Sequence, residues 1–314
     1  MQKEDEIIER HINFTKAKVT KLKSEIKKIE SENWCLMANG SYARHEASEN
    51  SDFDFYLLYK PEAMTDKQVK ATLKRTVKII ESIVGRLPSQ DGAFNSTLKL
   101  GELTKNIGGE DDINSHITKR ILFLTEGLAI NNDALYRKQR DELIDRYVAK
   151  NISDHQLGMF LLNDLIRYYR TVCVDFEFKT VEDNKPWGIR NIKLIFSRKL
   201  LYFSGILIAA EMAQRSYQEK LEIFRDLCTK TPLDRIRTVC GSSADRAIKE
   251  YTGFLEAIES PAIRRMLEQI NPSEKPPEDF RRLKNSGHHF SFHLMSALKA
   301  TYSESHPIHR ALLL

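Results

Sequence analysis

The chain has 314 residues, 41% of them apolar and 30% charged, with a net charge of +5 at pH 7. Such a chain can bury a full core and is long enough for two domains, which excludes a disordered polymer. The mild positive excess suits an anionic substrate without demanding nucleic acid, because a lysine-rich surface explains it equally well.

The first residues, Met1-Gln2-Lys3-Glu4-Asp5-Glu6, are charged and contain no apolar signal core. The longest apolar stretch, residues 200–213, is interrupted by Ser204, Gly205 and Glu211 and reads as a buried helix rather than a membrane span. Cys35, Cys173, Cys228 and Cys240 are widely separated, with neither a CxxC metal pair nor a disulfide framework. The expectation is a cytoplasmic protein with reduced thiols and no membrane partner.

In chain order, residues 3–30 place Ile7, Ile8, Ile12, Val19, Leu22, Ile26 and Ile29 at helical spacing among lysines and glutamates, which predicts an amphipathic helix. A strand is predicted at Trp34–Ala38, then a Gly-Ser turn, a short polar helix and a second strand at 53–59. Thr65-Asp66 can cap a helix bearing Val69, Leu73, Val77, Ile80 and Val84 that ends near Gly85 and Pro88. A third strand is predicted at 93–100. These elements make a small mixed α/β domain. After a loop at 107–112 the pattern becomes helical, over 115–130, 133–149, 153–178, 188–213, 217–230, 243–258 and 278–300, with a turn cluster at 271–277. The predicted class is therefore α+β, with a mixed-sheet domain over residues 1–113 and an all-helical one over 114–314.

The most informative segment is Asn39-Gly40-Ser41-Tyr42-Ala43-Arg44-His45-Glu46-Ala47-Ser48-Glu49-Asn50-Ser51-Asp52-Phe53-Asp54-Phe55. Residues two apart on a strand point to one face, so Asp52 and Asp54 present paired carboxylates. Those repel at neutral pH unless a cation lies between them, and Mg²⁺ favours one or two carboxylates together with substrate phosphates. Gly40 permits close backbone approach to a phosphate, and Ser41 can donate its hydroxyl near helix N–H groups. A lone Asp-x-Asp is usually a solvated turn; the joint pattern between two apolar runs is far more specific.

This segment resembles the signature of the DNA polymerase β-like nucleotidyltransferase superfamily. The resemblance implies that Gly40 and Ser41 bind the nucleotide phosphates and that Asp52 and Asp54 ligate two Mg²⁺ ions, with Mn²⁺ as an alternative. Arg44 and Glu46 lie inside the motif; Arg44 is a further candidate nucleotide contact, and Glu46 could orient the loop or pair with Arg44. The superfamily also places a third carboxylate on a later strand, where it ligates a metal and can take the proton of the attacking hydroxyl. Residues 93–100 contain no acid, so Asp91 is the first candidate, with Glu102, Asp111 and Asp112 as fallbacks. Asp91-Gly92 is also an ordinary turn pair.

Two polar stretches mark the helical part. Asn163, Arg167 and Arg170 share one helical face with Asp164 beside them, and Arg190, Lys193 and Ser197 line a helix opened by Trp187-Gly188. Either could be a solvated face, but a triphosphate needs cations beyond two Mg²⁺, and arginine suits bidentate phosphate contact. Gly188-Ile189-Arg190-Asn191-Ile192-Lys193-Leu194 is similar to the Gly-(Leu/Ile)-Arg-(Asp/Glu)-Ile segment of the glutamine-synthetase adenylyltransferase and PII uridylyltransferase group, and to nucleotidyltransferases with a helical substrate-binding domain grouped with them. Asn191 stands where those enzymes carry an acid, the preceding Gly-Gly is missing, and neither phosphohydrolase nor regulatory regions are present, so their protein targets are not carried over. His288, His289 and His293 invite a zinc reading, yet lack a nearby third ligand and sit beside Phe290 and Phe292.

The expected function is Mg²⁺-dependent transfer of a nucleoside monophosphate from an NTP to an acceptor hydroxyl, with pyrophosphate released. The acceptor could be a protein, favoured slightly by the adenylyltransferase-like segment, or a small molecule, an RNA end or a second nucleotide. The rivals are a non-catalytic nucleotide sensor and an RNA-tailing or tRNA-modifying transferase.

Overall fold

The computed structural model describes residues 2–87, 94 and 96–313. They form two compact units, one of residues 9–149 and one of residues 1–8 with 150–314. The units part at 149/150 rather than at the expected 113/114 because two helices after residue 113 belong with the sheet.

In the sheet-bearing unit the elements run α1 (Gln2–Lys27, shared with the other unit), β1 (Trp34–Ala38), α2 (Gly40–Ala43), β2 (Phe55–Tyr59), α3 (Asp66–Val84), β3 (Ser96–Lys99), α4 (Asn114–Thr125), β4 (Leu128–Ala129) and α5 (Asp133–Tyr147). The sheet order is β3-β2-β1-β4. Strands β1 and β2 are antiparallel, with Trp34 opposite Tyr59 and Ala38 opposite Phe55; β4 is antiparallel to β1, and β3 parallel to β2. Helix α3 opens on the expected Thr65 cap, which the structure shows as a capping box, Thr65 accepting from the Gln68 N–H while Gln68 accepts from the Thr65 N–H, and it closes on Gly85 in the left-handed region.

The pleat sends alternate side chains to opposite faces. Trp34, Leu36, Ala38, Phe55, Leu57 and Tyr59 share a buried cluster with Val19, Leu22 and Ile26 of α1 and Val69, Ile80 and Val84 of α3. Each large apolar side chain so buried contributes about 1.5–3 kcal/mol. Cys35, Met37, Tyr56 and Leu58 point the other way and are also buried. On that side Lys119 of α4 lies over the Tyr56 ring, and Tyr136 of α5 donates to the carbonyls of Phe123 and Gly127. With both faces covered, β1 and β2 read as continuous apolar runs.

Two departures from the sequence reading have local causes. The helix expected over 115–130 stops at Thr125, and Gly127 lets the chain turn so that Leu128 and Ala129 pair with Ala38 and Met37. A side chain at Gly127 would strike the Phe123 carbonyl and the Tyr136 hydroxyl. The third strand begins at Ser96, and residues 93 and 95 of its expected span lie outside the described residues.

The other unit is helical: α6 (Met159–Val181), α7 (Trp187–Lys193), a π-helical turn (Leu194–Arg198), α8 (Lys199–Glu211), α9 (Tyr217–Thr229), α10 (Pro232–Cys240), α11 (Asp245–Glu259), α12 (Pro261–Gln269), α13 (Glu278–Thr301) and α14 (Ile308–Ala311). Helices α10 and α12 were not anticipated, although each opens on a Thr-Pro or Ser-Pro pair, with Thr231 and Ser260 accepting from the Asp234 and Ile263 N–H groups. Among the described residues, no helix is long and apolar enough to cross a membrane. The four cysteines are free thiols.

Candidate active site

The site is built where β1 ends and β2 begins. The ladder continues one step past both strands, the Asn39 N–H donating to the Asp54 carbonyl at 2.8 Å. Phe53 and Phe55 enter the core while Asp52 and Asp54 stay partly exposed. Burial therefore alternates through 52–55 as the Asp-x-Asp spacing predicts, although regular strand pairing starts only at Phe55.

Gly40 follows Asn39 with φ at +64°, a conformation costly for other residues. A Cβ there would lie 3.2 Å from Cγ of Asp54 and closer still to its Oδ2. Glycine is therefore required twice over, by backbone conformation and by the approach of the Asp54 carboxylate. The Gly40 N–H is not left for a phosphate: it donates to Glu126 Oε1 at 3.0 Å. The phosphate role expected of Gly40 thus reduces to close approach, without its amide.

Arg44 departs further from expectation. Its guanidinium is buried, with Nε donating to Glu46 Oε2 at 2.7 Å and Nη1 to Glu126 Oε2 at 2.6 Å. A nucleotide-contacting role does not fit a cation already spent on two buried carboxylates. Arg44 braces the turn, and of the roles open to Glu46, pairing with Arg44 is the one observed. Ser41 is half-buried, and its hydroxyl makes no hydrogen bond among the described residues.

The rest of the loop hangs on α1. His11 Nδ1 donates to the Ala47 carbonyl at 3.1 Å, and the Ala47 N–H donates to Thr15 Oγ1 at 3.1 Å. Ser48 and Ser51 then close a turn on each other, and Tyr42 sets its ring edge-on to Phe53 at 4.9 Å. Burial, and after it the negative charges of Glu49 and Asp52, pushes the Tyr42 hydroxyl far above its ordinary pKa. Sequence reasoning missed His11, Thr15 and Glu126.

Asp52 and Asp54 carry hard oxygen donors, and Gly40 leaves room for the Asp54 carboxylate. Asn39, opposite Asp54, adds a buried Oδ1 with no hydrogen-bond partner among the described residues. The donor set fits Mg²⁺ or Mn²⁺, which take carboxylates and leave further positions to water and phosphate. No group of three or more His, Cys, Asp or Glu side chains is placed to hold a metal among the described residues. Asp91, the first candidate for a third carboxylate, lies outside them. Of the fallbacks, Asp112 is buried in a bidentate pair with Arg120 at 2.9 and 3.0 Å, and Glu102 accepts from the Lys99 N–H; Asp111 is exposed.

In the helical unit, Arg167 pairs with the buried Asp164 at 2.9 Å and Arg170 is exposed, both on α6. Arg190 and Lys193 are half-buried on α7. Burial draws the Arg190 pKa down, opposed by the charge of Asp175 and reinforced by that of Arg198. Gly188 has a packing reason of its own, since a Cβ there would meet the Leu267 carbonyl oxygen at 2.5 Å, and Ile189 and Ile192 are buried. On α13 His288 and His289 are exposed, with His289 3.8 Å from Glu250, and Phe290 packs against Phe196.

The candidate site thus consists of a strand, a glycine turn with its own carboxylate clamp, and an Asp-x-Asp leading into the next strand. Residues 1–86 match the sequence model of the family described as "Putative nucleotidyltransferase DUF294". No curated protein and no solved structure matches the chain.

Proposed function

We propose that the protein transfers a nucleoside monophosphate from an NTP to an acceptor hydroxyl, with Mg²⁺ held at Asp52 and Asp54. The observation that carries this reading is the fit of Gly40 to Asp54: a left-handed glycine whose missing side chain makes room for one member of a carboxylate pair. Bound there, Mg²⁺ would neutralise charge on the triphosphate and polarise the attacking oxygen.

The chain's own residues do the rest. Asp52 and Asp54 supply hard anionic oxygens, and Gly40 lets the phosphates come close to the backbone. Ser41 donates its hydroxyl to a phosphate oxygen. Arg167, Arg170, Arg190 and Lys193 are the proposed additional cations for the triphosphate. The acceptor oxygen bonds to the α-phosphorus while the bond to pyrophosphate breaks, and Asp91 is the proposed base that takes the acceptor proton. Arg44, buried between Glu46 and Glu126, is proposed to hold the turn rather than the nucleotide.

The test is incubation with each α-labelled NTP and Mg²⁺, with pyrophosphate measured and the label followed onto protein, RNA or small products. Pyrophosphate release with label on a hydroxyl-bearing product is expected. Nucleotide binding without pyrophosphate would instead identify a sensor.

A further inference from the structure

Glu126 takes no part in the chemistry above, yet its placement is costly. It caps the C-terminal end of α4, where the helix dipole disfavours an anion. Its carboxylate is fully buried, and with Glu46 it sets two acids against the single guanidinium of Arg44. Buried ion pairs rarely add stability over apolar side chains of similar volume, so stability does not account for Glu126. Its contacts do. One oxygen accepts the Gly40 N–H and the other accepts from Arg44, the two anchor points of the turn. Gly40 in turn stands against the Asp54 carboxylate, and the preceding Asn39 N–H holds the Asp54 carbonyl.

We propose that Glu126 is a positioning residue: a carboxylate delivered from the end of α4 that fixes the Gly40 turn and, through it, the Asp54 carboxylate. It touches neither Asp52 nor Asp54 in this role and acts through Gly40. The assignment rests on the reading of Asp52 and Asp54 as cation ligands. Outer partners of this kind typically govern metal affinity as strongly as they govern rate.

The test uses the full chain with Mn²⁺ as probe, titrated by electron paramagnetic resonance without nucleotide, alongside the rate of pyrophosphate release and the thermal midpoint. E126Q leaves Arg44 balanced by Glu46, but its amide NH2 replaces one of the two accepting oxygens, so a donor of Gly40 or Arg44 faces another donor. Expected in the folded protein is a loss of Mn²⁺ affinity of about tenfold or more with a parallel fall in kcat, while the buried donor that loses its acceptor lowers the thermal midpoint as well. E126D keeps the charge but withdraws it by one methylene, and should weaken Mn²⁺ binding in the same direction. A merely structural role would move the thermal midpoint and leave the Mn²⁺ affinity of the folded fraction alone. Wild-type Mn²⁺ affinity in either folded variant overturns the proposal, and so does failure of both variants to fold. A wild type that binds no Mn²⁺ overturns it together with the cation reading. A wild type that binds Mn²⁺ but releases no pyrophosphate removes nucleotidyl transfer alone, and the Mn²⁺ titrations still decide the role of Glu126.

Discussion

The Gly40 turn and the arginine-bearing faces of α6 and α7 are both polar assemblies on largely apolar elements, but they are held in different ways. At the turn, backbone bonds and buried side chains tie down Asn39, Gly40, Arg44 and Ala47, leaving the Asp52 and Asp54 carboxylates partly exposed at its edge. On α7, by contrast, Arg190 is half-buried with no ion pair among the described residues, and Arg167 on α6 has its ion pair within its own helix. A scaffold that fixes the backbone around two partly exposed acids has the organisation of a preorganised site. The helical faces offer charge, which favours an anion without dictating where it sits.

The largest effect should come from the carboxylates themselves. Asp52→Asn with Asp54→Asn should lower pyrophosphate release by at least about 10³-fold, roughly 4 kcal/mol, while thermal stability holds or rises slightly as the mutual repulsion disappears. Wild-type turnover in the double mutant would place the chemistry elsewhere. Next comes the brace. Arg44→Ala leaves two buried acids without their cation and should cost about 3 kcal/mol in urea unfolding, near the lower end for breaking a buried pair. A loss under about 1 kcal/mol would mean that Arg44 behaves as a surface charge.

The helical side of the comparison is tested by Arg190→Ala. If Arg190 bonds a phosphate, calorimetric titration of NTP at matched Mg²⁺ should show binding weaker by about 1.5–3 kcal/mol. Equal dissociation constants would leave α7 with a solvated face and confine the nucleotide argument to the sheet-bearing unit. Gly40→Val sharpens the other side: the KM for NTP should rise at least about tenfold, or roughly 1.4 kcal/mol, and kcat should fall as well because the new Cβ displaces Asp54. A rise in KM with kcat unchanged would show that Gly40 serves phosphate approach alone.

What could be read from the sequence followed the range of the interactions involved. Gly40, Asp52 and Asp54 fall within one short segment, where the alternation with Phe53 and Phe55 reports directly which residues enter the core. Thr65 and Gly85 are equally legible, because a cap acts on its own helix. Glu126 bonds Gly40 across 86 residues and Thr15 bonds Ala47 across 32, and no local pattern marks such partners. Strand β4 escaped because two residues cannot show alternation, and the adjoining apolar run also suits a helix. The boundary was misplaced for a related reason: α4 and α5 look like the helices that follow them, and only packing on the sheet assigns them to it. Arg44 misled through its chemistry, since a guanidinium beside a glycine turn reads as an anion ligand until its acids are located.

The reach of Glu126 also bears on how far the N-terminal region can stand alone. The family match ends at residue 86, whereas the carboxylate that clamps its glycine turn enters at residue 126 and the strand bordering β1 at residue 128. A fragment severed at residue 86 would retain Gly40, Arg44, Asp52 and Asp54, yet lose the acceptor for the Gly40 amide and one of the two acids around Arg44. The recognisable motif and the smallest self-sufficient piece of the protein are therefore different lengths of chain, and transplanting the first without α4 would carry the acids without their frame.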